Sequence, residues 1–262
     1  MSQKSRDSEK ENSSVLVVIP ARYGSTRFPG KMLADLCGYP LVYHVYQQAR
    51  KAKCVGEVLV ATDDDRIREA LEPLGVPVVM TRSDHASGTD RIAEVAENRS
   101  EDIIVNIQGD EPLLPPECID ASIQPLLNNP QIQMSTACRQ ITDLSWIQNP
   151  NIVKVVMNQK GLALYFSRLP IPYIRDVEQR QNLEGVYWQH IGLYVYRRKF
   201  LLHISKLPQT QLEKLEKLEQ LRVLENGYSI AVVPTNYEAL GVDTPEDLVQ
   251  VEKILKFKER EG

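Results

Sequence analysis

Residues 15–31 read VLVVIPARYGSTRFPGK, and this stretch decides the fold. Residues 15–19 are an unbroken run of Val, Leu and Ile, without the alternation typical of a half-exposed strand. Such a run predicts a strand that is buried on both faces. A loop with glycines and cations follows at once. A buried strand that leads into such a loop is typical of α/β sheets, whose ligands bind beyond the carboxyl ends of the strands.

The pattern continues along the first half of the chain. Short apolar runs alternate with segments of helical period, which indicates a doubly wound, mostly parallel α/β sheet. The predicted strands are 15–19, 57–62, 76–80 and 102–108, and the predicted helices are 41–52, 64–74, 88–98 and 116–127.

The second half is less regular and predicts an additional mixed α+β portion. No internal repeat is visible, and no Gly-, Ser- or Pro-rich linker marks a boundary, so residues 15–262 are interpreted as a single domain. The predicted strands are 132–138, 154–158, 163–167, 188–196 and 229–234, and the predicted helices are 211–225 and 245–256.

Composition narrows the class of protein. Hydrophobic residues make up 42% of the 262 residues, enough for a sizeable core, while residues 1–14 are polar and predict a disordered tail. The net charge of -4 gives no support for nucleic-acid binding. No apolar run is long enough for membrane insertion, and no signal peptide is evident, so we expect a cytoplasmic protein. The cysteines and histidines are scattered, which favours thiols in a reducing compartment and makes a zinc site improbable.

The loop after the first strand has the parts of an anion-binding cradle. It is neither G-x-G-x-x-G nor a Walker A motif, because Gly24 and Gly30 are one residue too far apart and Met32 replaces the Ser or Thr. Glycines let a backbone approach a ligand closely, and cations suit phosphate. The polar and charged members are Arg22, Ser25, Thr26, Arg27 and Lys31. A triphosphate site is favoured over a merely solvated loop.

Several segments in the same order resemble the sugar nucleotidyltransferase family and, within it, the CMP-Kdo synthetases. They are IPARYGSTRFPGK (19–31), ATDD (61–64), TRSDHASGTDR (81–91), VNIQGDEP (105–112), NPNIVKVV (149–156), YFSR (165–168), HIGLYVYR (190–197), LEQLRVL (218–224) and GVDTPEDL (241–248). The resemblance implies a GT-A-like nucleotidyltransferase that transfers CMP from CTP to 3-deoxy-D-manno-octulosonate (Kdo). It also implies release of pyrophosphate, supply of activated Kdo for lipopolysaccharide biosynthesis, an Mg²⁺ cofactor and a homodimer. Residues 15–130 would then form the CTP-binding part, and residues 131–262 the sugar-binding and dimerisation part with the last metal-site Asp.

Two aspartates are candidate metal ligands. Asp110 follows the predicted strand 102–108, and Asp243 precedes the last predicted helix. Mg²⁺ prefers carboxylate and phosphate oxygens, so two carboxylates suffice. Each residue has a plainer interpretation: Asp110 can belong to a turn, and Asp243 can start a helix that Thr244 caps. The resemblance favours metal binding for both.

The resemblance also implies the remaining site residues. Arg22 and Lys31 join the two aspartates as catalytic residues. The implied CTP-binding residues are Ala21, Arg22, Ser25, Lys31, Asp63, Arg82, Ser87, Gly88 and Gln108. The implied Kdo-binding residues are Gln108, Arg168, His190, Tyr194, Glu219 and Gln220.

Plainer interpretations stay open for part of these segments. His85 can be a solvated loop histidine. The stripe Leu212, Leu215, Leu218, Leu221 and Leu224 of the predicted helix is expected to face the protein core. Two rival functions also remain: a cytidylyltransferase for another acidic sugar such as sialic acid, or for another NTP, and a non-catalytic nucleotide-binding module.

Overall fold

The computed structural model describes residues 14–24, 28–85, 87–176, 183 and 185–261. The predicted tail therefore lies, apart from Ser14, outside the described residues. The chain divides into two compact units. One takes the residues up to Asp120 together with those from Ala239 onward, and the other takes Ala121–Glu238.

The first unit is built on four parallel strands. Strand β1 pairs with β4 on one side and with β6 on the other, and β5 pairs with β4. Their bounds are β1 Val15–Ala21, β4 Glu57–Thr62, β5 Val78–Met80 and β6 Ile103–Ile107. The parallel α/β sheet predicted from the first half of the sequence is confirmed.

Strand β6 is buried throughout, and β1 is buried except at the half-buried Pro20. Leu16, Val17, Val18 and Ile19 of β1 have no exposed surface, and every residue of Ile103–Ile107 is buried. A strand covered on both faces has no polar face, which is why the apolar runs in the sequence show no alternation.

The order of these strands reverses at β1. From β1 the chain moves to β4 and then to β5 on one side, and it returns to pair β6 with the other side of β1. This is a topological switch point, the place where open α/β sheets bind ligands. The loops that follow β1 and β6 therefore flank the expected ligand position.

Helices and short elements complete the first unit. The sequence analysis missed a 3₁₀ turn at Lys31–Leu33 and the two-residue strands β2 and β3. The bounds are β2 Asp35–Leu36, β3 Tyr39–Pro40, α1 Leu41–Lys51, α2 Asp65–Leu71 with a 3₁₀ extension Glu72–Leu74, α3 Gly88–Glu97, α4 Pro116–Asn128, which runs on past Asp120, and α9 Pro245–Glu261.

The second unit contains mostly antiparallel pairs. Strand β10 is antiparallel to β7 and to β8, β9 is antiparallel to β8, and β11 is parallel to β7. The bounds are β7 Met134–Gln140, α5 Leu144–Gln148, β8 Lys154–Met157, β9 Ala163–Ser167, β10 Trp188–Arg197, α6 Arg198–Ile204, α7 Gln211–Glu216, α8 Gln220–Glu225 and β11 Ile230–Pro234. Helices α5 and α6 were not predicted.

The prediction of one continuous helix over 211–225 is wrong. The segment is two short helices, because Lys217 adopts the left-handed conformation with φ of 55° and ends α7. The break rotates the leucine stripe out of register: Leu218 and Leu221 are buried, but Leu215 is 71% exposed. The stripe is therefore only partly a core face.

Two further features concern the whole described chain. Within the described residues, no helix is long and apolar enough to cross a membrane. The four cysteines all lie in the described part, and none of them forms a disulfide.

Candidate active site

Two loops meet at the switch point of the first unit. The loop that begins at Arg22 follows β1, and the Gln108–Glu111 turn follows β6. Gly109 allows their close approach, because a Cβ at this position would stand 2.8 Å from the Met32 sulfur and 3.2 Å from the Pro20 carbonyl oxygen. A side chain there would force the loops apart.

A cation and two carboxylates converge at this edge. Lys31 Nζ donates to Asp110 Oδ2 at 2.6 Å and to Asp243 Oδ1 at 3.1 Å. The side chain of Lys31 is 8% exposed, those of Asp110 and Asp243 are 26% and 48% exposed, and the cluster therefore opens on its carboxylate side. The structure brings together three predicted catalytic residues that are 79 and 212 positions apart along the chain.

Lys31 stays charged in this setting. Burial lowers the pKa of Lys31, but the charge of Asp110 and the hydrogen bonds to Asp110 and Asp243 outweigh burial, so the pKa is raised above its ordinary value. A protonated Lys31 offsets the repulsion between two neighbouring carboxylates. The cluster can therefore hold two carboxylates close to one point.

The helix cap positions Asp243 without using its carboxylate. Thr244 and Asp247 form a capping box, in which the Asp247 N–H donates to Thr244 Oγ1 at 3.2 Å and the Thr244 N–H donates to Asp247 Oδ2 at 2.9 Å. The Asp243 N–H also donates to Asp247, and the Val242 N–H donates to the Asp110 carbonyl at 2.9 Å. The plainer interpretation of Asp243 as the start of a capped helix and its role in the cluster are thus compatible.

The donor set fits a magnesium ion. Carboxylate oxygens are the ligands that Mg²⁺ prefers, and Mg²⁺ commonly takes only one or two protein carboxylates beside phosphate oxygens and waters. Asp110 and Asp243 meet that need, because both already point an oxygen at the same cation, Lys31 Nζ. Across the described ranges, no group of three or more His, Cys, Asp or Glu side chains is arranged to hold a metal.

The β1 loop is joined to the segment that follows β5. Arg22 Nη2 donates to the His85 carbonyl at 2.7 Å. The His85 side chain is 5% exposed and its Nε2 contacts Glu94, so the interpretation of His85 as a solvated histidine is wrong. Gly30 adopts φ of 70°, which glycine tolerates. Ser25, with Thr26 and Arg27, lies outside the described residues, so this part of the predicted cradle has no structural account.

The predicted start of α3 has the expected geometry. Ser87 caps the helix: its Oγ accepts from the Asp90 N–H, and its own N–H donates to the Asp90 carboxylate, both at 3.1 Å. Gly88 is the first helical residue, so the N–H groups at this end lack helical acceptors and suit an anion or a polar ring. By contrast Arg82 is 69% exposed and pairs with Asp84 at 3.2 Å.

Arg91 was missed by the sequence analysis. It is fully buried in α3, it lies 3.0 Å from Asp63, and it contacts the Thr81 hydroxyl. Burial lowers the pKa of Arg91 although Asp63 raises it, and Arg22 lowers it further. Only the family-like segment TDR (89–91) pointed to this residue. An arginine in an amphipathic helix is usually solvated, so nothing in the sequence indicated that Arg91 is buried. Arg91 fixes the position of Asp63, a predicted CTP-binding residue.

Two other predicted CTP-binding residues end the central strands. Ala21 is the buried last residue of β1 and pairs in register with Thr62. Gln108 directly follows β6, and its Nε2 lies 3.5 Å from Asn106 Oδ1.

The second unit gathers three of the predicted sugar-binding residues. Tyr194 Oη donates to Gln220 Oε1 at 3.2 Å, and the rings of His190 and Tyr194 are 5.4 Å apart. His190 Nε2 lies 2.9 Å from Thr136 Oγ1, and Phe166 stands edge-on to the imidazole at 4.9 Å. A register shift in β10 between Ile191 and Tyr194 accompanies this arrangement.

Burial keeps this cluster neutral. It lowers the pKa of His190 to about 3, so the imidazole is uncharged at neutral pH. Burial, with a smaller contribution from the charge of Glu219, raises the pKa of the Tyr194 phenol well above its ordinary value. Gln220 is buried and its Nε2 has no hydrogen-bond partner within the described part of the chain, whereas Glu219 is exposed. The cluster can recognise hydroxyl groups but cannot transfer protons as an acid at neutral pH.

Arg168 is held by backbone carbonyls. Its Nε donates to the Glu216 carbonyl at 2.7 Å and its Nη1 to the Pro150 carbonyl at 3.0 Å. The Glu216 carboxylate is engaged separately, by the Arg168 N–H at 3.0 Å and by Ser167 Oγ at 2.6 Å. The guanidinium is thus fixed by neutral backbone acceptors.

The switch-point loops, the buried cation and the paired carboxylates form a site that suits a nucleotide and a metal ion. The sequence model of the cytidylyltransferase family matches residues 16–230. The 3-deoxy-manno-octulosonate cytidylyltransferase of Trichlorobacter lovleyi is 50% identical over 92% of this chain and 98% of its own. The 3-deoxy-manno-octulosonate cytidylyltransferase of Geobacter sulfurreducens is 51% identical over 93% of this chain and 100% of the relative's length. The chain belongs to the 3-deoxy-manno-octulosonate cytidylyltransferase family.

Solved structures agree with this assignment. A CMP:2-keto-3-deoxy-manno-octonic acid synthetase complexed with CTP matches with a TM-score of 0.88 at 41% identity, over 94% of this chain and 100% of that one. The 4-diphosphocytidyl-2C-methyl-D-erythritol synthase of Anaerococcus prevotii matches with a TM-score of 0.61 at 12% identity, over 93% and 99%. The second likeness shows the fold alone.

Proposed function

We propose that this protein transfers CMP from CTP to 3-deoxy-D-manno-octulosonate and releases pyrophosphate. The observation that carries the proposal is the meeting of Lys31 with Asp110 and Asp243 at the switch point of a chain that is about half identical to 3-deoxy-manno-octulosonate cytidylyltransferases. The matching structure that is complexed with CTP supports the nucleotide.

Asp110 and Asp243 are proposed to hold Mg²⁺ beside the phosphates of CTP. Their convergence on one cation supports this role. When bound, the ion neutralises phosphate charge and lowers the pKa of a coordinated hydroxyl. This accounts for the chemistry without a dedicated general base. The lowered pKa of His190 makes its imidazole a poor proton acceptor.

The chain's own residues supply positioning and charge. Nucleotidyl transfer requires the attacking sugar hydroxyl and the departing pyrophosphate to lie in line across the α-phosphate, with the developing charge offset. Lys31 is proposed to offset that charge and to hold the two carboxylates together through its hydrogen bonds. Arg22, tethered to the His85 carbonyl, is proposed to contact the phosphates.

The base and the sugar are assigned to two sets of residues that share Gln108. Cytosine is proposed to lie against the segment at Arg82, Ser87 and Gly88, with Asp63 placed by Arg91, and with Ala21, Ser25 and Gln108 completing the CTP site. Kdo is proposed to bind through the neutral cluster of the second unit and through Gln108 and Glu219. The guanidinium of Arg168 is proposed to contact the carboxylate of Kdo. The full proposed Kdo set is Gln108, Arg168, His190, Tyr194, Glu219 and Gln220.

The experiment that tests the function is pyrophosphate release by the purified protein with Mg²⁺. We expect release with CTP and Kdo and little release when N-acetylneuraminate replaces Kdo or UTP replaces CTP. Faster release with N-acetylneuraminate would assign a different acidic sugar. CTP binding without release under any pairing would instead make the protein a non-catalytic nucleotide-binding module.

The resemblance to the family also supports proposals about oligomeric state and cellular compartment. The protein is proposed to act as a homodimer and to work in the cytoplasm. Light scattering coupled to size-exclusion chromatography measures the first, with a mass near twice the 29.8 kDa of the chain as the expected result. Fractionation of cells that express the chain measures the second.

A further inference from the structure

A polar cavity of about 410 Å³ lies within the second unit, apart from the His190, Tyr194 and Gln220 cluster. It is formed where β7 and β11 end and β10 begins. The lining side chains that matter here are Arg139, Thr142, Trp188, Thr235, Asn236 and Glu238. The volume is in the range of small-molecule sites.

Arg139 is the charged centre of this cavity. The residue is 8% exposed, and its guanidinium lies 4.7 Å from the centre of the Trp146 ring, which it covers. Its Nε is buried and has no hydrogen-bond partner among the described residues. Buried charged groups are costly unless they are paired, so an arginine in this state favours an anion.

The pairing that Arg139 has is partial. Arg139 Nη1 lies 3.4 Å from Glu238 Oε1, and Glu238 is 68% exposed. A carboxylate that is largely in water contributes little to an ion pair. The cavity thus already contains a carboxylate beside Arg139, held weakly enough to be replaced.

The remaining lining specifies the ligand. The planar guanidinium fork matches a carboxylate in geometry, and Thr142, Thr235 and Asn236 offer hydroxyl and amide groups that match hydroxyls. Trp188 adds a flat face on which a carbon skeleton can rest. We infer that this cavity is a second ligand site, which binds a small polyhydroxylated carboxylate through Arg139 and displaces Glu238 from it.

The two tryptophans of the chain make the site measurable. Trp146 stacks on Arg139 and Trp188 lines the cavity, and the sequence contains no other tryptophan. Intrinsic fluorescence of the full chain therefore reports on this cavity. D-Gluconate is the probe, sorbitol is the uncharged control, and sodium chloride keeps the ionic strength constant.

The expected result is a saturable fluorescence change with gluconate and none with sorbitol. Glu238→Gln removes the competing charge and should tighten gluconate binding several-fold, while Glu246→Gln, an exposed glutamate of the first unit, should leave it unchanged. Arg139→Gln should abolish the response. Because the signal is fluorescence and not turnover, the result is independent of the transfer reaction.

Three results would overturn the inference. They are a gluconate response that does not saturate or that sorbitol reproduces, a response retained in a folded Arg139→Gln variant, and an unchanged or weaker affinity in Glu238→Gln. The last variant decides the matter even if Arg139→Gln does not fold, because Glu238 is exposed. An equal saturable response to inorganic phosphate would overturn the assignment to carboxylates.

Discussion

The polar clusters of the two units are held together by different interactions. In the first unit, Lys31, Asp110 and Asp243 bring three charges together in a half-open setting. In the second, His190 is buried and Tyr194 is half-buried, and desolvation keeps both uncharged. Charge balance holds the first cluster, and ring packing with a few neutral hydrogen bonds holds the second. Substitutions should therefore affect turnover in the first cluster, and stability and sugar affinity in the second.

The largest effect is expected from Asp110→Asn. The substitution keeps the shape but removes one of two converging charges, and loss of one such electrostatic element costs on the order of 10²–10³ in kcat. The measurement is the rate of pyrophosphate release at saturating Mg²⁺, CTP and Kdo. Asp102→Asn, at an exposed residue ahead of β6, is the matched control, and near-normal turnover of Asp110→Asn would remove Asp110 from the metal site.

The next effect is expected from Lys31→Met. The variant keeps an apolar stem of similar length but leaves two carboxylates without their shared cation. We expect kcat/KM for CTP to fall about 10- to 100-fold, the equivalent of one or two charge-assisted hydrogen bonds. Lys51→Met, on the exposed end of α1, should have no effect. Unchanged kinetics for Lys31→Met would contradict the phosphate-binding role of this loop.

Tyr194→Phe tests the neutral cluster. It removes the donor to Gln220 Oε1 inside a buried site, and an unsatisfied buried acceptor costs about 1–3 kcal/mol. We expect a lower free energy of unfolding in urea and a raised KM for Kdo, with kcat and the KM for CTP little changed. Tyr39→Phe, at a partly exposed ring, is the control. A fall in kcat with no change in KM for Kdo would place Tyr194 in the chemistry instead.

The smallest effect concerns His190 and pH. Its pKa is about 3 in the folded chain, against about 6.5 in the unfolded chain. Between these values the unfolded chain binds a proton that the folded chain does not, so the free energy of unfolding falls as the pH falls from 6.5 toward 3. One such histidine accounts for about 1 kcal/mol between pH 7 and pH 5.5.

The measurement is urea unfolding at both pH values. The loss between pH 7 and pH 5.5 should shrink by that amount in His190→Asn and persist in His203→Asn, which alters an exposed histidine. An identical pH dependence in the wild type and in His190→Asn would show that His190 is not buried in solution.

The sequence predicts the parallel sheet well because β1 and β6 have no exposed face. It predicts β2, β3 and α6 poorly, because two-residue strands and a two-turn helix are too short for a period to emerge. The single helix expected over 211–225 failed at Lys217, since a left-handed residue that is not glycine leaves no mark on hydrophobic periodicity.

The site shows the same division. The sequence identifies Lys31 as a candidate phosphate ligand and Asp110 and Asp243 as candidate metal ligands. It does not predict that Lys31 bridges the two carboxylates, because residues far apart along the chain are brought together only by the fold. Arg91 was missed because a buried arginine and a solvated one look alike within an amphipathic helix. His85 was left open between two interpretations, and only its 5% side-chain exposure decides against solvation.

The return of the chain after Ala239 to the first unit has a consequence for synthesis. The ribosome delivers Lys31 and Asp110 long before Asp243, so a nascent chain already carries the β1 loop and the β6 turn while the cluster still lacks its second carboxylate. The cluster is completed only when the final segment joins strands made at the start. Any product of premature termination ahead of Asp243 would keep the lysine and one aspartate but would lack the pair, and under the proposed mechanism it would be inactive.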